Sequence, residues 1–296
     1  MLGLLLATLA QAASPPAAAA PQSPLPPLHG GPATMTCAVG GETFSAWRPT
    51  MYSTFGQRPD GRPYSYLPFP LPLPECPGNR LVMFDTFTPA ETARLPALIA
   101  GSGYRDLLAA GDTPYYRAYW LAAKLGRPAD DVLWLLLCAT WEVKGGTLSP
   151  SATPARLAKA RAYQEEFVRL ARKLPADVPA KARSWVDMRA ANALRELGRF
   201  DAAEAMRRTA LAATGDADPG NAAFLAKMGP VIARRDPSLE PLDLIPDPQA
   251  RFVCATPPPT MSVADRARCA TPPLSDDAAR LRERDAIGKA APKGNM

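Results

Sequence analysis

The sequence predicts a mainly α-helical protein in which an antiparallel array of helices follows a small β-rich module. Three observations lead to this prediction. Apolar residues recur at three- to four-residue spacing through much of region 88–235, which is typical of helices with one buried face. Before this region, short apolar runs are divided by Gly and Pro, as in a small sheet. The 35 prolines of the 296 residues cluster at the two ends and in one early loop.

Residues 1–12 are predicted to be a signal peptide, because an apolar stretch precedes the small-x-small pattern Ala10-Gln11-Ala12. The segment is short and lacks basic residues, so a start codon further upstream is one alternative, and a cytosolic protein with an apolar N-terminus is another. Residues 13–32 are rich in Pro and Ala and are expected to form an extended tether. We therefore expect a periplasmic or secreted protein. No later apolar run is long enough to span a bilayer.

The five cysteines are informative if the protein is exported, because paired thiols oxidise in such compartments. Cys254 and Cys269 close a short proline-rich loop, and Cys37 and Cys76 each begin a knuckle-like turn, in CAVGG and CPGN. We expect one disulfide in each pair. Cys138, inside WLLLCATW, is interpreted as a small buried apolar residue.

Residues 33–87 are predicted to form the β-rich module. The expected strands are 33–38, 42–47 and 80–84. Gly40-Gly41 is predicted to form the hairpin turn between the first two strands, because glycine tolerates positive φ. The proline-dense loop 52–74, with a turn at Asp60-Gly61, is either a binding surface or packing material for the helices.

A family resemblance is carried by three segments of this module, CAVGGETFSAW, GQRPDGRPYSYLPFP and PECPGNRLVMF. They resemble the opening of an uncharacterised bacterial family that joins a double-CxxC zinc ribbon to tetratricopeptide-like helices. In that family four thiolates hold zinc. Here Gly40 and Asn79 occupy the second cysteine positions, so the resemblance implies a degenerate zinc ribbon, and we predict no metal site and no cofactor. A disulfide between Cys37 and Cys76 would join the same knuckles; free thiols, or a metal completed by other ligands, are the alternatives.

The helical domain is predicted to span residues 88–235. Thr88 and Glu91 form a capping box that begins the first helix. Further helical segments are expected at 115–125, 129–143, 153–175, 180–214 and 221–234, the last kinked at Gly229-Pro230. Segment 180–214 resembles one tetratricopeptide unit, with a small Ala191 between its two helices and Gly198 at the turn. Residues 236–296 are expected to form a proline-rich tail with a short helix at 275–286.

Most catalytic templates are excluded by composition. The one histidine, His29, lies in the tether, so Ser/His, Cys/His and His-metal sites have no partner in a folded core. No glycine-rich phosphate loop occurs in a strand-to-helix context, and the net charge of +6 is spread without a run of like charges, so neither nucleotide nor nucleic acid is expected. We predict a protein that is not an enzyme. One alternative is an envelope enzyme that uses Glu142 in a cleft, and another is a residual metal-binding module.

The predicted function is protein or peptide binding by the first helix of the tetratricopeptide-like unit. In such arrays this helix lines a concave groove. The candidate binding residues fall at helical spacing on one face: Trp185, Met188, Arg189, Asn192 and Arg195. The polar members would bind carboxylates or backbone, and Trp185 would be an apolar anchor. The alternative is that Trp185 and Met188 pack against the preceding helix while the arginines are solvated. The sequence therefore predicts an exported, non-catalytic scaffold or adaptor.

Overall fold

The computed structural model describes residues 30–145, 153–175, 177–214 and 218–290. The predicted signal peptide and most of the predicted tether lie outside these residues. Within them the chain forms eleven α-helices and one two-stranded antiparallel sheet, which confirms the mainly helical fold class. None of the described helices has the length and apolar character needed to cross a membrane.

The sheet is a hairpin of β1 (Gly30–Thr36) and β2 (Thr43–Pro49), with Gly30 opposite Pro49 and Thr36 opposite Thr43. Gly40 and Gly41 lie in the turn with φ of 88° and 67°, conformations that glycine adopts without steric cost. The third predicted strand, 80–84, does not form; within the described chain its Val82 makes only an isolated bridge to Glu75. The reason is local, because the chain turns sharply at the first residue of this segment, where Arg80 has a φ of 61° that a strand does not adopt.

The disulfide between Cys37 and Cys76 joins two turns of similar geometry. The backbone N–H of each cysteine donates to the carbonyl oxygen five residues later, at 2.8 and 2.9 Å. Asn79 Nδ2 donates to Val39 O at 2.9 Å. A side chain of the Cys76 turn is therefore hydrogen-bonded to the backbone of the Cys37 turn. Both cysteines are buried, at 3% and 0% exposure, and belong to the main hydrophobic core.

The module is anchored to the helices by polar contacts as well as by the core. The carbonyl oxygen of Arg80 accepts from Tyr104 Oη at 2.7 Å and from Arg117 Nη1 at 2.9 Å. Arg117 is almost fully buried and pairs with Glu75. These bonds fix the Cys76 turn against the start of the helical region.

The described part of the helical region contains eight helices. They are α1 (Pro89–Ala100), α2 (Ser102–Ala109), α3 (Pro114–Leu125), α4 (Ala129–Val143), α5 (Pro154–Ala171), α6 (Ala180–Glu196), α7 (Phe200–Thr214) and α8 (Pro219–Ala233). The Thr88 capping box begins α1, and Gly126, at φ 81°, ends α3. Successive helices from α3 to α8 pack on each other, and α6 also contacts α4 and α8. Helix α6 therefore packs against all four of its neighbours from α4 to α8.

The C-terminal region contains the short helix expected at 275–286, within a longer helix, but the rest of it is more helical than the proline-rich tail expected there. After a 3-10 turn at Leu242–Leu244 it forms α9 (Asp247–Ala255), α10 (Val263–Cys269) and α11 (Leu274–Ala290). Pro248 lies in the first turn of α9, where its missing N–H costs nothing, so this proline does not prevent the helix. A second disulfide joins Cys254 to Cys269, and Cys254 packs with Ala278 in a separate apolar cluster.

Candidate functional site

The face predicted to bind a partner is largely covered by the chain itself. On α6, the side chains of Met188, Arg189, Asn192 and Arg195 are at most 4% exposed, whereas Trp185 is half-buried. Met188 lies in an apolar cluster formed with residues of α7 and α8. The structure thus brings the five predicted residues onto one helix but leaves only its N-terminal part open.

Arg195 shows how the C-terminal half of α6 is covered. Its Nη1 donates to the carbonyl oxygens of Asp236 and Ser238 at 2.8 and 2.7 Å, and its Nε and Nη2 donate to Asn192 Oδ1 at 3.1 and 2.9 Å. Burial lowers the pKa of Arg195. The segment that follows α8 therefore occupies the position where a partner's backbone was expected, and supplies the same kind of acceptor.

The early loop covers the middle of α6. Arg189 Nη1 donates to Pro59 O at 2.9 Å, and Trp141 Nε1 donates to Asp60 O at 3.2 Å. Gly61 makes this approach possible: its φ is +86°, and a Cβ there would lie 2.8 Å from Arg189 Cζ. The predicted turn at Asp60-Gly61 is thus packing material for the helices.

The early loop also contributes buried charged side chains to the interior. Asp60 Oδ2 accepts from Lys144 Nζ at 2.7 Å and lies 3.5 Å from Arg58 Nη2, and Lys144 also pairs with Glu196 at 2.6 Å. The side chains in these pairs are at most 4% exposed. Burial alone would favour the neutral acid, but the charges of Arg58 and Lys144 outweigh it and hold the pKa of Asp60 well below its usual range.

The charges of this interior do not balance. We call the following set the buried charge cluster: Arg58, Asp60, Arg62, Lys144, Arg189, Arg195, Glu196, Asp236 and Glu240. Its cationic side chains outnumber its carboxylates, and Glu240 also accepts from Tyr64 Oη at 2.7 Å. Burial lowers the pKa of Arg62 and of Arg189 to about 10. The cluster therefore has a net positive charge in a poorly solvated position.

An open groove of about 660 Å³ adjoins the cluster at the N-terminal half of α6. The starts of α4, α6 and α8 meet there. Its lining, which we call the tryptophan groove, is Gln57, Asp130, Asp131, Trp134, Pro179, Lys181, Ala182, Trp185, Arg189, Asp218 and Asn221. Trp134 is 46% exposed, and its ring lies 5.9 Å from that of Trp185 and 5.3 Å from that of Trp141. A large aromatic side chain is thus held in a fixed position at the surface.

Charged groups of both signs surround the two indoles. Asp130 and Asp131 lie in the first turn of α4, and Lys181 lies in the first turn of α6. Within the described part of the chain none of the three forms an ion pair. Because surface charges without partners retain their hydration and their field, they are available to a ligand. Sequence reasoning missed Trp134, although its spacing of three and four residues from the two aspartates places all three on one face of α4.

Glu142 lies elsewhere, between α4 and the start of α3. Its Oε2 accepts from the backbone N–H of Tyr115 at 3.1 Å, within the first turn of α3. Burial raises its pKa to about 7, against the hydrogen bonds from Thr113 and Tyr115 that favour the carboxylate. Glu142 therefore serves as the hydrogen-bond acceptor for a backbone N–H group in the first turn of α3, which has no acceptor within its own helix.

The described residues contain no group of three or more His, Cys, Asp or Glu side chains placed to hold a metal ion. The sulfur atoms of Cys37 and Cys76 are bonded to each other, and Asn79 bonds to backbone. Comparison of the chain with protein-family models, curated proteins and solved structures finds no match. The function is therefore inferred from the geometry of the chain itself.

Proposed function

We propose that this chain is an exported, non-catalytic scaffold or adaptor that holds a segment of a partner protein in the tryptophan groove. One observation carries the proposal: Trp134 is half exposed beside Trp185, at a groove bordered by unpaired charges. Tryptophan is enriched among the residues that dominate binding energy at protein interfaces. The volume of about 660 Å³ is large enough to hold several side chains of a bound segment, although the groove is open to solvent.

The scaffold we propose is tetratricopeptide-like. The pair α6 and α7 makes the most extensive helix contact among the described elements, and α6 also contacts α4 and α8, as the first helices of successive pairs would. Resemblance to a degenerate zinc ribbon is supported by the two similar cysteine turns, joined by a disulfide instead of a metal. In this interpretation the module closes one end of the array.

Export is supported by the two disulfides, which fit an extracellular or periplasmic compartment. We expect protein recovered from the envelope fraction of its native host to show both bonds in non-reducing peptide mass mapping. Recovery of both pairs as free thiols, or with bound zinc, would instead favour a cytosolic protein or the residual metal-binding module.

Site-specific photo-crosslinking tests the binding role. A photoreactive amino acid is placed at Lys181, an exposed residue of the groove lining, and, as a control, at Leu157 of α5, which is exposed outside the groove. We expect a discrete crosslinked partner from position 181 only, and we expect Trp134→Ala or Trp185→Ala to remove it. Identical products from both positions, or none from position 181, would contradict the proposal.

A further inference from the structure

Arg189 is an incompletely satisfied cation in the wall of the tryptophan groove. It is 4% exposed, and a guanidinium has five N–H donors. Its Nη1 bond to Pro59 O is short, at 2.9 Å, but its Nη2 bond to Gln57 Oε1 is longer, at 3.3 Å. Within the described residues its Nε has no acceptor. All its hydrogen-bond acceptors found there are neutral.

The protein's own acids do not compensate this charge. Asp60 is the carboxylate whose charge reaches Arg189, but its Oδ2 is already bound to Lys144 and close to Arg58. The buried charge cluster as a whole has more cations than carboxylates. A buried charge without a counter-charge is costly, so an anion brought to Arg189 would be bound favourably.

Gln57 is the acceptor that a ligand can replace. It is exposed and lines the groove, whereas Pro59 is buried in the loop. The start of α6 adds positive potential to the same groove, since it carries Lys181, no acidic residue in its first turn and no side-chain cap. An anionic group entering beside Gln57 therefore meets Arg189 without unfolding the loop.

We propose that the tryptophan groove recognises a carboxylate of its peptide ligand, and that Arg189 binds this carboxylate in place of the Gln57 side chain. The inference rests on the proposed function and names the chemistry of its ligand. A carboxylate accepts from Arg through charge-assisted bonds, which are about twice as strong as neutral ones. The neighbouring side chain of the peptide contacts Trp134 and Trp185.

The opposite rim limits how acidic the ligand can be. Asp130 and Asp131 project from the start of α4 into the same groove. Like charges at a binding surface reject a partner that carries too many of them. The groove therefore selects a single carboxylate next to an apolar residue, and we expect polyacidic peptides to bind no better than peptides with one acid.

The test uses the full chain and three sets of N-acetylated tetrapeptides with an apolar residue. One set ends in a free carboxylate, the second is the same set amidated, and the third is amidated but contains one Glu side chain. Binding is followed by tryptophan fluorescence and calorimetry. We expect peptides with a carboxylate to bind about tenfold more tightly than neutral ones, as a charge-assisted bond implies. The first set identifies a chain terminus as the source, and the third set a side chain.

Gln57→Glu separates recognition from structure. It places a permanent carboxylate on Arg189, so we expect it to weaken peptide binding about tenfold or more while preserving the fold. Gln57→Ala leaves the position empty and should retain the preference for carboxylates. Thr54→Glu, at an exposed site in the same loop, is the control for the added charge. Equal binding by all three variants would mean that Arg189 is structural only.

Failure of this inference can be told from failure of the proposed function. If peptides bind and Trp134→Ala abolishes binding, but amidated neutral peptides bind as well as free acids, only the inference is overturned. If no peptide set binds and Trp134→Ala leaves the crosslinking pattern unchanged, the groove is not a binding site and both are overturned.

Discussion

The two halves of α6 carry similar polar side chains but meet different surroundings. In the C-terminal half, Arg195 is fully buried and donates to two backbone carbonyls of the segment after α8. In the N-terminal half, Lys181 and Trp185 border the open groove. The chain fills one half with its own loops and leaves the other half available. A polar helix face therefore becomes either structural or binding according to which segments return to it.

The largest loss of stability is expected from a substitution in the buried charge cluster, next to the covered part of α6. Asp60→Ala leaves Lys144 and Arg58 buried without their shared carboxylate, and removing one partner of a buried pair costs about 3–5 kcal/mol of unfolding free energy. Denaturant unfolding followed by circular dichroism measures this loss. Asp85→Ala is the control, because Asp85 pairs with Arg127 at an exposed site where such pairs contribute about 0–1 kcal/mol. Equal losses would show that the cluster does not hold the loop in place.

Gly61→Ala tests how closely the loop approaches α6. The new Cβ would meet Arg189 at 2.8 Å and would also disfavour the φ of +86°, so we expect a loss of about 2–3 kcal/mol. Gly111→Ala is a matched control: its φ is +66°, but no heavy atom lies within 4 Å, so the backbone cost of about 1–2 kcal/mol acts alone. If both substitutions destabilise the protein equally, the contact with Arg189 is not tight.

Glu142 and Asp60 are expected to make the stability of the protein depend on pH in opposite directions. Burial raises the pKa of Glu142 to about 7, so the protonated side chain is favoured in the folded protein. Its contribution to the free energy of unfolding is therefore complete below about pH 4.5 and is lost as the pH rises to about 7. Asp60 has a lowered pKa, so its contribution is present above its ordinary pKa and is lost as pH falls below it.

We expect Glu142→Gln to remove a decline of about 3 kcal/mol between pH 4.5 and 7. Unfolding curves of both proteins across this range measure it. If the unfolding free energies of the wild type and the variant changed in parallel with pH, Glu142 would not be taking up a proton in the folded protein between pH 4.5 and 7.

The smallest effect on stability is expected in the open half. Trp134→Ala removes an exposed indole and its edge contact with Trp141, which together contribute about 1 kcal/mol. Thermal unfolding should therefore change little, whereas crosslinking and peptide binding at the groove should be lost. A large loss of stability would instead assign Trp134 to the core, as expected for the buried Trp141.

Local signals in the sequence account for most of the helix boundaries. The expected helix 129–143 matches α4, and Gly126 ends α3, because proline and glycine at helix ends act through their own backbone conformation. The same reasoning failed after residue 236, where prolines predicted an extended tail. Pro248 is compatible with the first turn of α9, and the buried face of that helix depends on packing with α11.

Only part of the candidate site could be predicted from local sequence patterns. The spacing of Trp185 and Arg189 places both on one face of α6, and both line the groove. The burial of Arg195 depends on a segment more than forty residues later in the chain. No periodicity within α6 contains that information, and Trp134 becomes notable only when its exposure is known.

By itself the sequence determined the helical class, the ends of α3 and α4, and the cysteines available for pairing, because these depend on backbone preferences and residue types over a few positions. The tertiary structure alone decided which half of α6 is open and which charges are buried without compensation. Those properties arise when distant segments compete for the same helix face, and the segment that satisfies more donors and excludes more water occupies it.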